Sequence, residues 1–176
     1  TAIEEVKQRS GATSVVLIGL RLGATLAVQA ANQRQDIAGL VLWEPVAQGN
    51  AYLEEIEDAH RSKLNYFLAD PVYTSGLPEG MTEILGFVLS ATMRRQIQGL
   101  NVLEFTHSYG FKNVLIVEKA ATESATQFKA HFERPAFQVS YQCLDDPAIW
   151  GEDPDKALIP GQTLKAITSW FNETFS

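Results

Sequence analysis

Val15-Val16-Leu17-Ile18-Gly19-Leu20-Arg21-Leu22-Gly23-Ala24 is the stretch that decides the fold. Its opening run, Val15 to Ile18, is aliphatic and largely β-branched, and Ser14 and Gly19 bound it, which predicts a buried strand. From Leu22 to Gln33 the chain is rich in Ala and Leu and almost free of charge. That pattern predicts a helix buried on most sides. Between strand and helix stands Gly-x-Arg-x-Gly. Glycines allow the backbone a tight turn, so Arg21 is expected to rise beside the N-terminus of the helix.

Working outward, Ile37 to Trp43 is a second apolar run, closed by Glu44-Pro45, and Asn113 to Val117 is a third. Phe137 to Leu144 alternates Phe137, Val139, Tyr141 and Cys143 with Gln138, Ser140 and Gln142. One wet face puts that strand toward a sheet edge. Apolar strands alternating with helices give an α/β fold, a parallel sheet with helices on both faces. A different pattern fills residues 47–111, a helical insertion at the carboxyl edge, where open α/β sheets bind ligands. Leu53, Ile56, Leu64 and Phe67 mark one amphipathic helix there, and Ile84, Phe87, Val88 and Ala91 predict another, with Asp70 to Gly80 as the loop between them. The last helix is expected from Gly161 to Phe175. The first residues resemble the end of a helix stopping at Ser10-Gly11, so a piece of a longer chain is expected.

Composition excludes several classes. The 176 residues are 45% hydrophobic and 20% charged, the proportions of one soluble globular domain. Fourteen basic residues against twenty-one acidic give a net charge of -7. No basic face for nucleic acid is expected. No apolar run approaches the roughly 20 residues of a membrane span. His60, His107 and His131 have no metal-ligand spacing, and both Gly-x-Gly-x-x-Gly and a P-loop lysine are absent, so neither metal nor cofactor is expected.

Strand, Gly19-Leu20-Arg21-Leu22-Gly23 and helix have the order of the nucleophile elbow, whose motif is Gly-x-Ser-x-Gly. The chain resembles the second half of the α/β-hydrolase superfamily. Within it, Gly19 to Ala24, Leu42-Trp43-Glu44-Pro45-Val46, Gly86 to Ser90 and Ile149-Trp150 are similar to the hydrolase-like proteins of the bacterial exosortase system. The resemblance implies a cytoplasmic bacterial protein that supplies the last four strands of the fold. Val15 to Ile18 would then need a cover, either the N-terminal half of the fold or a second copy of the chain, as in a homodimer.

The resemblance also implies where a catalytic triad would sit, and the residues there differ. Arg21 replaces the nucleophile, and its guanidinium stays protonated. After the third strand come Glu118 and Glu123, outside a Gly-x-x-Asp turn. After the fourth come Asp145-Asp146-Pro147-Ala148-Ile149-Trp150, without histidine. The expectation is a degenerate, non-catalytic hydrolase-like protein that binds a small anionic or acyl ligand or a protein partner. The alternative is an esterase, thioesterase or peptidase-like enzyme using displaced groups, Ser108 among them.

The candidate site gathers Gly19, Leu20, Arg21, Leu22, Gly23, Trp43, Glu44, His107 and Trp150. Arg21 either binds an anion at the helix N-terminus or pairs with a carboxylate such as Glu44. His107 could overhang the pocket or be an ordinary loop residue, and Trp43 and Trp150 could line it or pack in the core. His60 reads as solvated, Cys143 as a small filler facing the core, and Gly151 to Asp155 as a solvated turn.

Overall fold

A computed structural model describes residues 1–32, 34–67, 76–105, 109–147 and 158–175, and of Phe67 the backbone only. The elements run α1 (Ala2–Ser10), β1 (Val15–Leu20), α2 (Leu22–Ala31), β2 (Ile37–Trp43), α3 (Gly49–Phe67), β3 (Met81–Ile84), β4 (Phe87–Ser90), α4 (Ala91–Gln98), β5 (Asn113–Glu118), α5 (Glu123–Phe132), β6 (Gln138–Cys143) and α6 (Gly161–Phe175). Residues 1–47 and 102–176 form one compact unit and Gln48–Asn101 a second.

The first unit is built on a four-stranded parallel sheet in the order β1-β2-β5-β6. Alternate side chains of each strand supply two cores. Leu40, Leu42, Val114 and Ile116 pack with Val28 of α2 and with Phe128 and Phe132 of α5. Val41, Leu115 and Val117 point the other way, onto Ile167 and Trp170 of α6. The sheet is therefore sandwiched between helices, as the apolar runs predict.

Both sheet edges are informative. At one, β6 carries polar residues along its length, as expected, although its burial is intermediate rather than strictly alternating. Cys143 at its end is exposed and does not face the core, contrary to the sequence reading. The strand stops there, and the side chain stands at the rim beside the Lys119 carbonyl. At the other edge lies β1, all apolar, with Ile18 59% exposed.

Helix α1 ends as the sequence reading has it, with Gly11 in the left-handed region at φ 73° closing the last turn. Ion pairs tie it to the loop before β2. Lys7 reaches Asp36 at 2.6 Å, and Arg34 bridges Asp36 at 2.6 Å and Glu4 at 2.5 Å. Helix α5 was not anticipated from the sequence. Its signal is the Thr122 side chain, which accepts the Ala125 N–H, followed by Ala125, Phe128 and Phe132 on one buried face.

In the second unit α3 is the long amphipathic helix expected, with Leu53 buried and Glu54, Glu55 and Asp58 exposed. The segment Ile84–Ala91 is not a helix. Ile84 and Phe87 pair across a two-residue turn, closing the antiparallel β3–β4 hairpin, and a helix begins only at Ala91. Leu85 at φ 53° and Gly86 at φ 86° give two consecutive positive-φ residues, the backbone of a tight hairpin. His60 is not solvated either. It is half-buried, and its Nδ1 accepts the Leu85 N–H at 3.1 Å, holding that turn against α3.

Candidate functional site

Arg21 stands where β1 turns into α2, with φ 54° and ψ -125°. L residues seldom adopt this conformation, and it is held by the surrounding backbone. The Arg21 N–H donates to the Trp43 carbonyl at 2.9 Å, and the Ala24 N–H donates to the Arg21 carbonyl at 2.9 Å. Gly19 makes the turn sterically feasible. A Cβ there would lie 2.4 Å from the Gly23 carbonyl oxygen and 2.5 Å from the Ala24 backbone. The start of α2 folds directly over that position.

One strand away, Glu44 also has positive φ, 47°. Its N–H donates to the Val117 carbonyl at 2.8 Å, continuing the ladder from β2 to β5. Two strained residues thus sit side by side at the carboxyl edge of the sheet. Nη1 of Arg21 reaches the main-chain carbonyl of Glu44 at 3.4 Å. The carboxylate of Glu44, 8% exposed, accepts the Lys119 N–H at 2.6 Å. Glu44 links the ends of β1, β2 and β5 through three different atoms.

At the end of β5, Glu118 is 1% exposed. Its carboxylate accepts the Tyr141 hydroxyl, the Thr122 hydroxyl at 2.8 Å and the Thr122 N–H at 3.2 Å. The carboxylate therefore lies against the first turn of α5, where backbone N–H groups favour negative charge. Burial, then the Glu118 carboxylate, pushes the Tyr141 hydroxyl well above the usual phenol range, so it remains a donor. Glu123 is exposed in the first turn of α5 and accepts from the Gln127 side chain.

The segment leaving β2 is fastened from two sides. Ser124 Oγ donates to the Pro45 carbonyl at 2.9 Å and accepts the Ala47 N–H at 2.7 Å. The Thr25 hydroxyl donates to the Val46 carbonyl. After β6, the Asp146 carboxylate accepts the Thr163 N–H at 2.6 Å in the first turn of α6. Burial alone would raise its pKa, but the Thr163 and Gln162 donors hold it below the usual carboxylate value.

Solved structures share the fold. The esterase domain of a Rhodothermus marinus protein is similar at TM-score 0.57 and 11% identity, over 96% of this chain and 65% of that one. A Pyrococcus furiosus esterase is similar at TM-score 0.57 and 14% identity, over 99% and 59%. A putative hydrolase from Agrobacterium vitis S4 is similar at TM-score 0.52 and 19% identity, over 94% and 64%. The chain has a hydrolase fold. It spans less than two thirds of the length of each of these three structures. No protein-family model and no curated protein matches it.

On that hydrolase fold, the positions named from sequence divide clearly. Gly19, Leu20, Arg21, Leu22 and Gly23 form the elbow turn, and Trp43 and Glu44 flank it from β2. Trp43 is half-buried and packs with the α6 core. His107, Ser108, Trp150 and the Gly151 to Asp155 turn lie outside the described residues. His131, on α5, is committed to Tyr109, with Nε2 3.2 Å from the hydroxyl. Among the described residues no group of three His, Cys, Asp or Glu could hold a metal ion, and no helix is long and apolar enough to cross a membrane. Tyr141, Thr122, Ser124 and Thr25 were not foreseen. Only Thr122 carried a signal, as a capping residue before a helix.

Proposed function

We propose that this chain binds a small anionic or acyl ligand at the Arg21 elbow and does not hydrolyse it by a Ser-His-Asp triad. The observation that carries the reading is Arg21 itself, on a turn with φ 54° and ψ -125° at the start of α2. A guanidinium there cannot attack a carbonyl, but beside a helix N-terminus it suits a carboxylate or phosphate. Two further facts support it. Glu118 is already taken up by Tyr141 and Thr122, and Asp146 by the first turn of α6. Polar groups near the acid and histidine positions serve the fold instead.

Part of the proposal is kinship with the exosortase-associated hydrolase-like proteins, and with it a bacterial, cytoplasmic setting. The support is the short similarity of Gly19 to Ala24 and Leu42 to Val46. An esterase-like activity using displaced groups is the second reading, favoured by the esterases among the structural neighbours.

Two measurements separate the readings. Titration with acetate, short acyl carboxylates and inorganic phosphate should show binding that Arg21→Ala abolishes while the far-UV spectrum is kept. Unchanged affinity in Arg21→Ala defeats the anion site. Intact mass after fluorophosphonate treatment should show no adduct, and a single labelled serine would establish the esterase-like reading.

A further inference from the structure

We infer that His60 is a pH-sensitive latch on the β3–β4 hairpin, holding the Leu85–Gly86 turn against α3 while neutral and releasing it once protonated. The turn is where the hairpin most needs a hold. Leu85 at φ 53° and Gly86 at φ 86° follow one another in the left-handed region. A two-residue turn of that kind favours Asn or Gly at its first position, and Leu has neither the polar side chain nor the missing Cβ that eases it. A contact from outside the turn therefore helps to select this backbone. The Leu85 N–H donates to Nδ1 of His60 at 3.1 Å.

That bond fixes the state of the ring. A main-chain N–H can only donate, so Nδ1 carries the lone pair and the proton sits on Nε2. Protonated imidazole donates from both nitrogens. A hydrogen on Nδ1 would face the hydrogen of Leu85, turning an attraction into a clash of two donors. His60 is half-buried, so its ring can take a proton from solvent with α3 intact. The base of the hairpin stays tied, because the Ala91 N–H donates to the Gly80 carbonyl at 2.8 Å and Leu89 is buried. Release is thus confined to the tip, where it loosens the pair of buried Ile84 with exposed Phe87.

The charged groups on the surrounding elements leave this contact as the one that protonation changes. On α3, Glu57 and Lys63 stand one turn to either side of His60, α4 brings Arg94 and Arg95, and β3 brings Glu83. Glu57 pairs with Arg94, and Asp58 with Arg61. Lys63 and Arg95 are exposed. Glu83 lies on the opposite side of β3 from the buried Ile84. β4 carries no charged residue.

Hydrogen exchange of the whole chain, expressed as protection relative to an unstructured chain at the same pH, tests this alongside NMR of the His60 ring. Between pH 8 and pH 5, the range in which histidine ordinarily changes charge, Leu85 should lose about tenfold or more of its protection in step with ring protonation. His60→Asn places a non-titrating acceptor oxygen where Nδ1 stood and should keep the protection at both pH values. His60→Ala should show at pH 8 the low protection of the acidified wild type. Wild-type protection that survives ring protonation, a ring that stays neutral down to pH 5, an equal loss in His60→Asn, or a loss no greater at Leu85 than along α4 would each overturn the inference.

Discussion

The Tyr141 hydroxyl donates to the buried Glu118 carboxylate, joining β6 to the end of β5. Glu118 also takes both donors of Thr122, so three donors from its own sheet and helix converge on it. A buried carboxylate partnered in this way is a structural element, and removing a donor leaves a buried oxygen short of a hydrogen-bond partner.

Tyr141→Phe should therefore destabilise the chain by about 1–3 kcal/mol. Thr122→Ala should cost a comparable amount, and the double variant less than the sum, because both donors serve one carboxylate. Urea denaturation of the four proteins measures this. Additive losses would show that the two donors act independently.

Gly19 and Gly23 flank Arg21 but should respond oppositely to alanine. At Gly19 the new Cβ meets backbone at 2.4 Å, so the elbow must open, and a loss of about 3 kcal/mol or more is expected. At Gly23 a Cβ has no atom within 4 Å. Alanine there should stabilise α2 by roughly 0.5–1 kcal/mol. Thermal melts of the two single variants decide between them.

His131, 7% exposed, should make stability fall in mild acid. Burial, and then the neighbouring Arg134, lowers its pKa below the ordinary 6.5. The unfolded chain thus takes up its proton first as the pH drops. The contribution is complete above pH 6.5 and is lost as the pH falls through the lower folded value. Melting temperatures between pH 8 and pH 5 should decline, and His131→Leu should flatten that decline.

Asp146→Ala should lower the melting temperature by uncapping the first turn of α6, whereas Asp146→Asn should recover part of the loss at neutral pH. Because the Asp146 pKa is lowered on folding, the wild-type advantage is full above the ordinary value of 3.8 and disappears as the pH falls below it. On the non-hydrolytic reading proposed above, Arg21→Ser should show no turnover of p-nitrophenyl esters, since residues 143–176 hold no histidine. Measurable turnover would mean that His107, His60 or His131 serves as the base.

The strands and the elbow were legible because apolar runs and Gly19-x-Arg21-x-Gly23 are local patterns. The β3–β4 hairpin was not, since Ile84, Phe87, Val88 and Ala91 fit helical spacing equally well. Its deciding feature is the positive φ at Leu85 and Gly86, a conformation that apolar spacing does not report. Helix α5 is not legible because its buried face is three apolar residues, Ala125, Phe128 and Phe132, with His131, among polar residues.

By itself the sequence determined the parallel sheet, the edge character of β6 and the cation at the elbow, each a matter of residue type at short spacing. Only the tertiary structure decided what those residues do. Glu44 meets Lys119 across 75 residues of chain, and Glu118 meets Tyr141 across 23. No periodicity encodes such pairs. They arise because parallel strands bring their carboxyl ends to one edge, where a few polar atoms must satisfy one another away from water.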